Sequence, residues 1–228
     1  HDIETVFYPV GLHDSLEIIL APGSETTIAH YGIPVPGDDD LCLKACALLG
    51  ESHDLPPVAI HLLKGIPVGA GLGGGSSDAA RTLLMLNNMF GLGLGDAALE
   101  QLAAKLGSDC AFFIRNRPVL ASGRGEVLED VDTGLAGKLL LLADPGIHIS
   151  SREAYAMVRP AAGRPSLREI IKTPVGEWKD FLVNDFEQPV FSLYPRVREI
   201  RELMYAAGAQ YASMSGSGSV VYGIFDSD

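Results

Sequence analysis

Five of the seven residues from Gly69 to Gly75 are glycine, and this segment restricts the fold more than any other. It follows a strand candidate, Val58–Leu63, and precedes apolar residues at helical spacing. Because glycine has no Cβ, the backbone N–H groups of such a loop can approach an anion closely. The helix that follows adds free amides and the positive end of its dipole. The sequence therefore predicts a strand–loop–helix unit that binds phosphate over residues 69–77.

Other phosphate-binding loops fit this segment less well. A P-loop requires Gly-Lys-Ser/Thr, and no lysine of the chain stands in that setting. The bare Gly-x-Gly-x-x-Gly pattern is present, but a dinucleotide-binding fold places an acidic residue at the end of a second strand about 20 positions on. The corresponding stretch, 87–96, is typical of a helix end and a turn. The alternative to phosphate binding is a purely structural role for this segment, as a tight turn with helix caps. Five glycines in seven residues disfavour that alternative.

Composition excludes several classes of protein. The chain has 228 residues, of which 47% are hydrophobic, and this is enough for one large or two small domains with a true core. Seventeen basic against 29 acidic residues give a net charge of −12, which disfavours a nucleic-acid partner. Apolar runs fall short of the ~20 residues of a membrane span. Three cysteines without paired metal spacing predict reduced thiols in a cytoplasmic protein.

The pattern along the chain alternates strands and helices and indicates an α+β fold. Ile3–Val10 and Ser15–Leu20 predict strands, and Val220–Phe225 predicts a final strand. We expect two domains, residues 1–137 and 138–228.

Four stretches resemble signature sequences of one enzyme superfamily. Pro67–Ala80 is similar to the second signature of the GHMP kinases, the superfamily of galactose, homoserine, mevalonate and phosphomevalonate kinases. Ser213–Ser219 resembles their third signature. Leu106–Phe113 and Gly123–Glu126 resemble one branch, whose members phosphorylate a cytidyl sugar alcohol in non-mevalonate isoprenoid biosynthesis. The motifs follow the family's order and extend over nearly the whole chain.

The resemblance implies a two-subdomain GHMP kinase fold. An N-terminal ribosomal-protein-S5-domain-2-like part would bind nucleotide, and a C-terminal ferredoxin-like part would follow it. The family's first signature, a Pro-Ala-Lys-Ile-Asn-like strand, has no counterpart in the chain, which opens at His1 rather than Met. We therefore expect the natural protein to begin upstream of His1, with its first strand or strands missing from this chain.

The resemblance also implies which residues bind ATP and Mg²⁺. Lys64 resembles a family lysine beside the nucleotide, and its alternative interpretation is a solvated surface lysine. Gly74 and Gly75 stand where many members have serines, so the sequence does not identify the magnesium ligands. The implied cofactor-binding residues are Lys64, Pro67, Gly69, Ala70, Gly71, Leu72, Gly73, Gly74, Gly75, Ser76 and Ser77.

Asp109 matches the family's catalytic aspartate, which accepts the proton of the attacking hydroxyl. From the residues alone, Ser108-Asp109 after a helix-ending glycine is more often a turn or a cap than a catalytic site. The resemblance implies that Asp109 also binds the substrate, together with His1, Tyr155, Gly216 and Ser217.

The implied partners are ATP and a small-molecule cytidyl substrate, without nucleic acid or membrane, in a monomer or weak homodimer. Two alternatives stay open at this point. One is another GHMP-family kinase that acts on a different small alcohol. The other is a non-catalytic protein of the same fold that binds nucleotide as a sensor.

Overall fold

The computed structural model describes residues 3–37, 39–159 and 163–227, which form two compact units. Unit 1 comprises the residues up to Val68 together with Gly73–Asp130. Unit 2 comprises Gly69–Leu72 and the residues from Val131 onward. Four residues of the first glycine loop therefore pack with unit 2, although their neighbours on both sides pack with unit 1. The expected boundary between residues 137 and 138 stays a prediction.

The described residues of unit 1 form two three-stranded sheets and four helices. Its elements are β1 (Thr5–Phe7), β2 (Ser15–Leu20), β3 (Thr27–Gly32), α1 (Leu41–Gly50), β4 (Val58–Lys64), α2 (Gly74–Met89), α3 (Asp96–Leu106), α4 (Phe112–Arg115), β5 (Val119–Ser122) and β6 (Val127–Asp130). One sheet has the antiparallel order β1–β5–β6. The other has the order β2–β4–β3, in which β4 runs antiparallel to β2 and parallel to β3.

The alternation of side chains along β4 builds the core of unit 1. Val58, Ile60 and Leu62 are buried in the hydrophobic core that also includes residues of α1 and α2. Lys64 continues this alternation and is buried as well, because residues two apart on a strand point to the same side. The strand therefore delivers a cation to the interior just before the glycine loop.

The described residues of unit 2 combine one antiparallel sheet with short helices. Its elements are β7 (Leu139–Ala143), α5 (Ser151–Met157), α6 (Leu167–Ile170), a 3₁₀ helix (Val175–Asp180), α7 (Glu187–Leu193), α8 (Pro195–Ala206), β8 (Tyr211–Met214) and β9 (Val221–Phe225). The sheet order is β7–β9–β8. Val190, Val197, Met214 and Val221 lie at the centre of its core. In the described part of the chain, no helix combines the length and apolarity that a bilayer crossing requires.

Candidate active site

Glycines with positive φ alternate with other residues along the first glycine loop, as they do in the nests that bind anions. Gly69, Gly71 and Gly73 have φ values of +67°, +79° and +68°, whereas the residues between them do not have positive φ. Alternation of this kind turns successive N–H groups toward one concave side. A Cβ on Gly71 would lie 2.1 Å from the backbone oxygen of Ser215, so this position accepts only glycine.

Two carbonyl groups of this loop are held by the second glycine loop (residues 215–220, between β8 and β9), within unit 2. The Ser215 hydroxyl donates to the Gly71 oxygen at 2.7 Å, and the Val220 N–H donates to the Ala70 oxygen at 3.1 Å. In a trans peptide the oxygen and the hydrogen point in opposite directions. The N–H groups of Gly71 and Leu72 therefore face away from the second loop.

Gly73 and the residues after it form the N-terminus of α2 in unit 1. Gly73 caps the helix without a side-chain hydrogen bond, so the amides of the first turn need an outside acceptor. A Cβ on Gly73 would lie 2.9 Å from Cζ of Phe113, and one on Gly74 would lie 2.9 Å from Cγ2 of Ile66. Tight packing on both sides explains these glycines, and the helix dipole favours an anion at this end.

Asp109 lies in the turn between α3 and α4, which packs against the same helix end. Phe113, at the start of α4, packs against Gly73, and the Cys110 thiol of the turn is hydrogen-bonded to Ser76. The Asp109 side chain is exposed, yet desolvation by the surrounding protein raises its pKa above the ordinary 3.8. Within the described residues, its carboxylate receives no hydrogen bond, so its oxygens remain available for a substrate proton.

Lys64 lies in a buried charge cluster beneath the start of α2, with a side chain that is 3% exposed. Its ammonium group forms an ion pair with Asp14 and another, of 2.7 Å, with Asp78. Asp14 also accepts the backbone N–H groups of Gly65 and Ile66, at 2.6 and 2.8 Å. The interpretation of Lys64 as a solvated surface lysine is therefore wrong, and its role beside the nucleotide stays a prediction.

The three charged groups respond differently to their surroundings. Burial works against the charge of Lys64, but its hydrogen bonds to the two aspartates outweigh burial and raise its pKa. Burial likewise opposes ionisation of Asp14, yet Lys64 and the two backbone amides lower its pKa. For Asp78, burial dominates and raises the pKa to about 6 despite Lys64. Asp78 is therefore the member of the cluster that titrates closest to neutral pH.

The other predicted substrate-binding residues belong to unit 2, except for His1, which lies outside the described residues. Gly216 is exposed at the tip of the second glycine loop, and the Ser217 hydroxyl lies 3.3 Å from that of Ser151 on α5. Tyr155, one turn further along α5, packs its ring edge-on against Phe186 with 4.9 Å between ring centres. Helix α5 thus connects Tyr155 with the second loop.

Pro67 is half-buried directly before the first loop. The predicted residues that unit 1 brings together are thus Lys64, Pro67, Asp109 and the sequence from Gly73 to Ser77. Those in unit 2 are Gly69 to Leu72, Tyr155, Gly216 and Ser217.

Sequence reasoning missed four polar residues that support these loops, namely Asp14, Asp78, Asn184 and Glu187. The alternation of β4 gave a signal for the first two, because a lysine on the buried side of a strand requires a counter-charge. Asn184 and Glu187 follow the 3₁₀ helix in a segment typical of a turn and helix start, and no pattern sets them apart.

Comparison with known families agrees with this geometry. Residues 40–117 match the model of the GHMP kinases N terminal domain, and residues 166–228 match the model of the GHMP kinases C terminal. The chain belongs to the GHMP kinase family.

Individual similar proteins indicate which kind of GHMP kinase this chain resembles. A Parabacteroides distasonis protein named 4-diphosphocytidyl-2-C-methyl-D-erythritol kinase is 48% identical over 228 residues, which cover 99% of this chain and 83% of the relative. A Bacteroides thetaiotaomicron protein of the same name is 49% identical and covers 99% and 84%. A crystal structure titled 4-(cytidine 5'-diphospho)-2C-methyl-D-erythritol kinase matches with a TM-score of 0.80 and 32% identity, over 98% of this chain and 81% of the other. The family and the α+β fold class predicted from the sequence are confirmed.

Proposed function

We propose that this protein transfers the γ-phosphoryl group of ATP to the 2-hydroxyl of 4-diphosphocytidyl-2-C-methyl-D-erythritol. Relatives named for that kinase match 99% of the chain at 48% and 49% identity, which supports the substrate. The observation that carries the chemistry is the carboxylate of Asp109. It is exposed, has a raised pKa, and lies on the turn that packs against the N-terminus of α2.

The residues from Gly69 to Ser77 suit the phosphates of ATP. The alternating glycines leave no Cβ in the way of the backbone N–H groups, and the first turn of α2 has free amides. When bound, ATP supplies the phosphoryl group, and the accompanying Mg²⁺ neutralises phosphate charge. The described residues contain no cluster of three His, Cys, Asp or Glu side chains that could hold a metal. The hydroxyl of Ser76 or Ser77, at the start of α2, would be a protein ligand for Mg²⁺ alongside the phosphate oxygens.

Asp109 acts as the proton acceptor in this proposal. As the 2-hydroxyl oxygen forms its bond to the γ-phosphorus, the hydroxyl proton passes to the Asp109 carboxylate. The bond between the γ-phosphorus and the β–γ bridging oxygen breaks, and the bridging oxygen keeps the electron pair and leaves with ADP. The transition state of such a transfer is loose, so positioning and electrostatic stabilisation supply most of the acceleration.

In the same proposal, residues of unit 2 bind the cytidyl group of the substrate. Tyr155 offers an aromatic ring on which a base can stack, and Gly216 and Ser217 offer an exposed loop tip. Stacking tolerates any base, so hydrogen bonds must select cytosine. His1, outside the described residues, is the predicted donor or acceptor for that edge.

A coupled assay of ADP release tests the substrate. The wild-type protein with Mg²⁺ and ATP should release ADP with the cytidyl substrate and remain near background with mevalonate or homoserine. Equal turnover of either small alcohol would refute the proposed specificity. ATP binding without turnover of any alcohol would instead favour the sensor alternative.

Substitution Asp109→Asn tests the proton acceptor. The amide keeps the shape of the side chain and removes the base, so kcat should fall about 10²–10⁴-fold with little change in substrate KM. In the wild type, kcat/KM should decline with falling pH through an ionisation above the ordinary carboxyl value of 3.8. That decline should be absent from the residual activity of the variant. Exposed Asp54→Asn is the matched control, and a comparable turnover in both variants would remove Asp109 from the mechanism.

A further inference from the structure

Asn184 lies before α7 and uses its whole side-chain amide to hold the second glycine loop. Its Nδ2 group donates to the backbone oxygens of Met214 and Gly216, both at 2.8 Å. Its Oδ1 accepts the N–H of Phe186 at 2.9 Å. Because the two carbonyls need donors and the N–H needs an acceptor, these hydrogen bonds determine which side-chain atom of Asn184 is Nδ2 and which is Oδ1.

The residue between those two carbonyls is Ser215, whose hydroxyl donates to the Gly71 oxygen at 2.7 Å. Asn184 thus holds the Met214–Ser215 peptide group directly before this residue and the Gly216–Ser217 peptide group one residue after it. The Ser215 backbone is further held by its N–H bond to the Val220 oxygen at 2.8 Å. A continuous chain of hydrogen bonds therefore runs from Asn184 through Ser215 to Gly71.

A buried carboxylate supports the same loop from the other side. Glu187, 7% exposed, accepts the hydroxyl of Ser213 at 2.9 Å and the N–H of Met214 at 2.8 Å through one oxygen. Its second oxygen accepts from Arg201 at 2.6 Å. The strand end that leads into the second loop is thereby fixed, and Asn184 bonds to the backbone of the loop itself at Gly216.

We infer that Asn184 is a positioning residue for ATP binding, an assignment that rests on the proposed function of the first glycine loop. By holding Ser215, Asn184 fixes the direction of the Gly71 carbonyl. The N–H of Leu72 belongs to the same planar peptide group and points in the opposite direction, toward the concave face of the nest. Without this support the Gly71–Leu72 peptide can rotate, since glycine permits many backbone conformations.

Substitution Asn184→Asp provides the test. The carboxylate retains an acceptor for Phe186 but loses both N–H donors, and its charge faces two carbonyl oxygens. We expect the Kd for ATP with Mg²⁺, measured by calorimetry without the alcohol, to rise at least about tenfold. The KM for ATP should rise more than kcat falls, because Asp109 is untouched. Ser215→Ala should weaken ATP binding in the same way.

Two comparisons separate positioning from a general loss of stability. Asn87→Asp is the matched control, since Asn87 also bonds its amide to the backbone of one residue, Leu94, at 3.0 Å in both directions. It should lower the melting temperature and leave the Kd for ATP unchanged. The double variant Asn184→Asp/Ser215→Ala should have about the same Kd for ATP as whichever single variant binds ATP more weakly, because both changes act on one chain of contacts.

The possible failures are distinguishable. Absence of ATP binding by the wild-type protein would overturn the proposed function and this assignment with it. Wild-type binding together with unchanged ATP affinity in Asn184→Asp would overturn the assignment alone. Additive effects in the double variant would also overturn it, because they would show that Asn184 does not act through Ser215.

Discussion

The two units support their glycine-rich segments by different physical means. In unit 1, the start of α2 lies over a sealed cluster of three charged side chains, Lys64, Asp14 and Asp78. In unit 2, the second loop is held mainly by side chains that bond to main-chain groups, with Asn184 as the neutral member. The Glu187–Arg201 pair adds a charge whose cation is partly exposed to solvent.

The difference matches what each support has to fix. Ion pairs act over distance with little directional preference, so a charge cluster can hold a helix end in place without setting the angle of one peptide. A hydrogen bond to a carbonyl requires defined geometry and can orient a single peptide plane. Unit 1 therefore depends on charge balance and pH, whereas unit 2 depends on the direction of individual donors.

The largest effect on stability should come from Lys64→Met. This change leaves two buried carboxylates without their cation, and unfolding in urea should show a loss of about 3–5 kcal/mol. Lys44→Met is the control, because its ion pair with Asp39 is exposed and should contribute at most about 1 kcal/mol. Equal losses in the two variants would mean that the buried cluster does not support unit 1.

A smaller loss should follow from Glu187→Gln in unit 2. Glutamine keeps an acceptor for Ser213 and Met214. Its amide nitrogen replaces the oxygen that accepts from Arg201, whose charge water can partly solvate. We expect a loss of about 1–2 kcal/mol in the same urea measurement, and almost none for the exposed Glu199→Gln. A loss as large as that of Lys64→Met would abolish the distinction between the two supports.

A further effect should be a change in how stability depends on pH, caused by Asp78. Its pKa is raised from 3.8 to about 6 in the folded state, so between these values the folded protein binds more protons than the unfolded chain. This group therefore lowers stability as pH rises through that window. Asp14, with its lowered pKa, acts oppositely, and its contribution is lost as pH falls below 3.8.

In Asp78→Asn, stability should decline less between pH 3.8 and about 6 than in the wild type, as urea unfolding at several pH values would show. Part of the decline should remain, because the raised pKa of Asp109 acts in the same direction. Glu187→Gln should retain the pH dependence of the wild type. An unchanged pH dependence in Asp78→Asn would assign the titration to another group and would weaken the contrast in pH dependence between the units.

Much of the molecule could be predicted because its signals are local. The glycines of residues 69–75 and the apolar spacing after them predicted the loop and α2, and the pattern of Val58–Leu63 predicted most of β4. The motifs around Asp109 and Ser213–Ser219 predicted the GHMP kinase family. Strand β3 was not predicted, because its six residues gain their order from parallel pairing with β4 rather than from their own pattern.

The sequence by itself determined the family, the positions of both glycine-rich loops and the turn that carries Asp109, since neighbouring residues encode each of them. Only the tertiary structure decided which groups hold these loops. Lys64 finds Asp14 50 positions away, and Ser215 finds Gly71 144 positions away. Such contacts depend on how strands and helices pack in three dimensions, and a single polar residue gives no sign in the sequence of the distant partner that it will meet.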